Sequence, residues 1–165
     1  MQTTPASLDA YLKSLKILHL AFLAGQVMFA AIAAVLVFTN LFTPVTTEVA
    51  ILRFIVPGIA IACIVVSQLI FTSRLAAAQV AAEPEEKLNI YRTALILKFA
   101  LIEGPCLLST IAFLLSGNYL FLAISGLVIA WFAAQHPVRS KALAGMGLDE
   151  IGIMEWEQEN PDMGE

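Results

Sequence analysis

The chain has 165 residues, one domain's worth, yet 59% are apolar and only 13% are charged, against roughly 45–50% and 25% in globular proteins. A soluble fold of this size leaves about a third of its potential surface wet, so it could not hide that much apolar side chain. A net charge of −4 with only nine Lys and Arg also argues against a nucleic-acid partner. These proportions imply lipid as the solvent, and the expected fold is all-α and integral to a membrane.

The segment 1–16 reads as a cytoplasmic or interfacial helix start. Thr4-Pro5 suits a cap and first turn, and Leu8, Leu12 and Leu15 share one face leading inward. Four apolar runs follow, at 17–38, 49–72, 94–115 and 119–136, and together they form the expected four-helix domain 17–136. A helix needs about 20 residues to cross a hydrocarbon core of about 30 Å. The first three suffice. The fourth is apolar only to Ala134 and must borrow Gln135 and His136, or lie in thinned lipid. The first run exceeds the roughly 7–15 apolar residues of a signal-peptide core, so it reads as retained despite the Ala31-Ile32-Ala33 that resembles a cleavage site. None of the runs alternates as a barrel strand would, and lipid offers backbone groups no partners, which leaves helices.

The basic residues predict the orientation. Lys13 and Lys16 precede the first span, Arg74, Lys87 and Arg92 lie between the second and third, and Arg139 and Lys141 follow the fourth, while 39–48 and 116–118 contain no Lys or Arg. The positive-inside rule then places both termini in the cytoplasm, N-in and C-in, in a bacterial inner membrane. Joined by these connections, the spans are expected to make two antiparallel hairpins of a four-helix bundle.

The Ala-rich stretch 75–82 favours helix, so the second span should continue beyond the membrane. Glu83-Pro84 breaks it. Pro84, Glu85 and Glu86 suit the start of a third helix over about 84–115, and Ser116-Gly117-Asn118 reads as a tight reversal. After Pro137 a short helix over 138–143, ended by Gly145 and Gly147, opens an acidic cytoplasmic tail, 137–165. From Asp149 onward it holds seven of the thirteen acids and reads as a solvated end, with partner docking through Ile151, Ile153, Met154 and Trp156 as the alternative. Small residues four apart, Ala21/Gly25, Gly58/Ala62 and Gly126/Ala130, are expected to draw helices together. Pro57 and Pro105 should each kink their helix.

Glu103 is the informative exception among the apolar residues. Depth counted at 1.5 Å per residue places it within about 2–3 Å of the midplane, with Gln26 at a similar depth. It should therefore be protonated, paired or facing water. Two readings follow: a structural carboxyl bonded to Gln26 or to the Leu101 carbonyl that Pro105 frees, or an ion- or proton-carrying site with Gln26 beside it. Lys98, near the cytoplasmic edge, is expected to snorkel out, with a cytoplasmic-side polar cluster of His19, Gln68 and Lys98 as the alternative; Arg53 should snorkel at the outer edge. Cys63 and Cys106 differ in depth by about 6 Å, which argues against a disulfide. His19 and His136 share the cytoplasmic side and could in geometry hold a haem, but ordinary interfacial histidines explain them, so no cofactor, metal site or catalytic set is expected.

The sequence Glu83-Pro84-Glu85, then Arg92-Thr93, then Ala100-Leu101-Ile102-Glu103 resembles the carboxylate-bearing half of a rotary-ATPase proteolipid subunit. That resemblance implies Glu103 as an ion-carrying carboxyl. It covers about thirty residues, 83–115, and the chain departs from the pattern in lacking a glycine run in the second span, in the Gly104-Pro105 after the acid, and in its acidic tail. As a whole the chain resembles the small four-span inner-membrane proteins of bacteria, a likeness that implies no activity. The expected function is non-enzymatic: an accessory or scaffolding subunit of a membrane complex, or a homo-oligomer, partnered by the lipid bilayer and other membrane subunits. The alternative is a proton- or cation-coupled transport or channel component centred on Glu103.

Overall fold

A computed structural model describes residues 8–44 and 50–148. The described chain is all-α, without strands, in five helices: α1 Leu8–Phe38, α2 Leu52–Val80, α3 Pro84–Ser116, α4 Tyr119–Ala133 and α5 Arg139–Met146. Three of them, α1, α2 and α3, contain stretches long and apolar enough to cross a membrane. Thr4-Pro5 and the tail from Asp149 lie outside the described residues.

The first helix runs without a break from the expected helix start through the first apolar run. Its buried positions, Leu12, Leu15, His19, Gln26 and Ala33, step by three, four, seven and seven. That is the 3.5-residue repeat of a helix packed along a narrow seam. Residues to either side, such as Leu20, Met28 and Val35, are exposed. The helix ends where Asn40 takes a left-handed φ of 56°, a conformation that Asn tolerates better than most residues, and Phe42 N–H closes the end onto the Leu36 carbonyl.

At the centre stands α3, which packs on α1, α2 and α4. The second helix does continue through the Ala-rich stretch, and α3 begins at Pro84 with Glu85 and Glu86 in its first turn. Three residues therefore join α2 to α3, and this pair makes the most extensive packing in the fold. The expected hairpin of the first two helices does not form: α1 and α2 make no extensive contact, and both pack on α3 instead. A longer connection, 39–51, lets α1 settle against α3 and α4, whereas the three-residue link forces α2 alongside α3. Since α4 touches both α1 and α2, it covers one side of α3. The other side stays open along Ile96, Ala100, Gly104 and Ile111, all exposed.

The reversal at Gly117 is as the sequence predicts. Gly117 has φ 65° and its N–H caps the Phe113 carbonyl, and the Asn118 side chain accepts from Leu120 N–H to start α4. The fourth helix does not borrow Gln135 and His136; its 15 residues end at Ala133, giving a length of about 22 Å. The chain turns at 134–138 and resumes as α5, which packs on α2 and α3. Gly145 lies inside α5 rather than ending it, pressed so close to Leu75 that a Cβ would come within 3.1 Å, and Gly147, with φ 64°, forms the end. Gln79 Nε2 donates to the Gly145 carbonyl at 3.2 Å and Lys87 Nζ to the Met146 carbonyl at 3.4 Å.

The larger part of the core runs from Leu12, Leu15, Leu88 and Met146 through Phe99 and Phe132 to Cys106. A second part gathers Ala33, Val56, Phe113 and Phe121 at the α3–α4 turn. Neither Pro57 nor Pro105 breaks its helix. The three small-residue pairs do not bring helices together. A Cβ on Gly25, Gly58 or Gly126 would meet nothing within 4 Å, and Ala21, Ala62 and Ala130 are exposed. Spacing alone cannot tell which face of a helix is turned inward, and here the seams are built from Leu and Phe.

Candidate functional site

Apart from Ser67, which bonds back onto the Ile64 carbonyl of its own helix, the buried polar groups among the described residues fall into three places. The first is the end of α4. A helix leaves its last carbonyls without intrahelical donors, and α4 ends against α1 and α3. His19, only 3% exposed, donates from Nε2 to the Phe132 carbonyl at 3.0 Å. Its ring also stacks on Phe132, with centroids 4.6 Å apart at 13°, and Phe99 meets both rings.

Lys98 does not snorkel. It is 6% exposed, donates to Gln135 Oε1 at 2.7 Å, and lies 4.5 Å from the centroid of the Phe71 ring, within cation–π range. The physical reason is the register of the chain about Gly117, which sets Gln135 at the level of Lys98 and supplies an acceptor inside the protein. A pocket of about 170 Å³ opens here, with Phe71, Tyr91, Lys98, Gln135, His136 and Lys141 among its lining. Of the expected cluster, then, His19 and Lys98 both serve the end of α4, on different partners. Gln68 is half-buried and does not line this pocket.

The second place is a hydroxyl cluster between α3 and α4. Ser125 Oγ lies 2.7 Å from Ser109 Oγ, 2.8 Å from Thr110 Oγ1 and 3.3 Å from the Cys106 carbonyl. Ser109 and Thr110 bond back onto the Pro105 and Cys106 carbonyls of their own helix, a habit of Ser and Thr within helices. All three hydroxyl residues are fully buried, and the cluster ties α4 to α3 one turn beyond Pro105. Cys106 is buried beside it; Cys106 and Cys63 are free thiols.

The third place holds the two predicted mid-span residues, and the structure does not pair them. Gln26 is 0% exposed, yet neither its Oε1 nor its Nε2 reaches a hydrogen-bond partner among the described residues; the expected bond to Glu103 is not made. Glu103 is partly exposed, at the edge of the open stripe of α3 and next to Gly104, around which there is open space. Among the described residues no three His, Cys, Asp or Glu gather as a metal-ligating group.

Sequence reasoning missed Gln135 and the hydroxyl cluster, although a signal existed. Folding the chain back at Gly117 sets Ser109, eight residues before it, opposite Ser125, eight residues after. The same fold sets Lys98, nineteen before, opposite Gln135, eighteen after. Register about the turn would have found both pairs. No family model matches the chain, and neither does any curated protein or solved structure.

Proposed function

We propose that the protein is a non-enzymatic inner-membrane protein of four spans, with both termini in the cytoplasm, that acts as an accessory or scaffolding subunit of a membrane assembly or as a homo-oligomer. The observation that carries this reading is the open side of α3, with Glu103 at its edge beside Ala100 and Gly104. Against lipid near mid-span, a charged carboxylate costs about 2.5–3.5 kcal/mol on insertion scales. A neighbouring helix that covers the stripe and offers a donor removes that penalty, and the small side chains at 100 and 104 let it approach closely. The apolar outer faces of α1 and α2, with Met28, Phe54, Ile61 and Leu69 exposed, suit lipid or further subunits.

The test is a photo-crosslinking residue at Ala100, compared with one at the equally outward Leu127, in native membranes. A discrete adduct at Ala100 alone is the expected result, and lipid adducts alone at both positions would sink the reading. The Glu103→Gln protein should fold and assemble as wild type, because an amide can take the place of a protonated acid. A second reading, ion- or proton-coupled transport, is favoured by the absence of any hydrogen bond from Glu103 to another described residue, which leaves the carboxyl available to titrate. Carbodiimide labelling of Glu103 that falls as pH rises, with loss of ion flux in Glu103→Gln vesicles, would decide for transport.

A further inference from the structure

Among the described residues, the pocket where α4 gives way to α5 is lined by two lysines and a histidine and by no acid. Lys98 forms its wall from α3, Lys141 comes from the first turn of α5, and His136 comes from the linker. Lys141, of like sign, faces the same pocket as Lys98. Two cations facing one cavity repel unless an anion lies between them, so the arrangement favours an anionic occupant over an empty one. The start of α5 also borders the pocket through Val138 and Lys141. Val138 provides no side-chain cap, and an uncapped helix N-terminus turns N–H donors and the positive end of its dipole toward whatever sits there. Lys98 uses one of its three N–H donors on Gln135, leaving others for an oxyanion. At about 170 Å³ the pocket equals the liquid volume of roughly six waters. That accommodates a phosphate group.

We infer that this pocket binds a phosphate group, carried either by the headgroup of an acidic phospholipid or by free phosphate. Its place fits the lipid source, since basic pockets between helices at the cytoplasmic side of a membrane bind such headgroups.

The test uses the full chain in detergent micelles, examined by native mass spectrometry and thermal unfolding. The probes are phosphatidylglycerol, phosphatidylcholine, and potassium phosphate against potassium chloride at equal ionic strength. Lys141 is exposed, so Lys141→Ala leaves the packing intact, and Lys98→Gln is its buried companion. For a lipid headgroup, phosphatidylglycerol is retained in preference to phosphatidylcholine, and Lys141→Ala lowers that retention about fivefold. For free phosphate, the two lipids are retained alike while potassium phosphate raises the unfolding temperature of wild type but not of Lys141→Ala. Equal retention of both lipids with no phosphate effect overturns the inference. A phosphatidylglycerol preference that survives in both Lys141→Ala and Lys141→Glu does so too.

Discussion

His19 and Lys98 are nearly as deeply buried as Gln26, yet both have partners and Gln26 has none among the described residues. The difference lies in the backbone around them. At the end of α4 the helix stops against α1 and α3, so the Phe132 carbonyl and the Gln135 side chain are turned toward their neighbours. Along the middle of α1 the residues lie in continuous helix, whose N–H and C=O groups already satisfy one another. Only a second side chain could serve Gln26 there, and Glu103 faces elsewhere. A polar side chain on a packed helix thus finds a partner where a neighbouring helix ends or where hydroxyls of the facing helix meet it, as at Ser125, and is stranded where it faces neither.

Substitutions can break or sharpen this contrast. The largest effect should come from Gln135→Leu, which removes the acceptor from the buried Lys98 ammonium. Hydrogen bonds to charged groups contribute about 1.5–3 kcal/mol, so a loss of about 2–3 kcal/mol is expected in denaturant unfolding of the detergent-solubilised protein. An unchanged midpoint would show that the cation–π contact with Phe71 suffices. Ser125→Ala removes the link between α3 and α4 and should cost about 1 kcal/mol, the scale of interhelical hydrogen bonds in membranes. A double-mutant cycle with Thr110→Val checks that the loss belongs to the cluster. The smallest effect should have the opposite sign. Gln26→Leu deletes two unpartnered polar atoms while nearly keeping shape, so it should leave stability unchanged or raise it by up to about 1 kcal/mol. A clear destabilisation would mean that Gln26 has a partner after all.

Much of the fold can be read along the chain because its signals are local. Pro84 with the acids behind it starts α3, Gly117 and Asn118 reverse the chain, and long apolar runs make α1, α2 and α3. Each depends on propensity, capping or hydrophobic length within a few turns. The limits of α4 and α5 were less legible: Gln135 and His136 are polar enough to end a span or to cap one, and Gly145 could end a helix or pack closely against Leu75. For the candidate site, Glu103 and Lys98 stood out as charges in apolar surroundings, but Gln135, the partner of Lys98, did not.

The sequence by itself determined that the chain is helical and apolar over spans of membrane length, and where most of its helices begin and turn. Those properties follow from side-chain hydrophobicity and from backbone preferences at single residues. Only the tertiary structure decided that α1 packs on α3 and α4 rather than on α2, that the small-residue pairs face outward, that Lys98 turns inward to Gln135, and that Glu103 and Gln26 do not meet. These outcomes depend on the rotation of each helix about its axis and on where its neighbours stop. That choice is made by the summed packing of many side chains, and no single residue carries it.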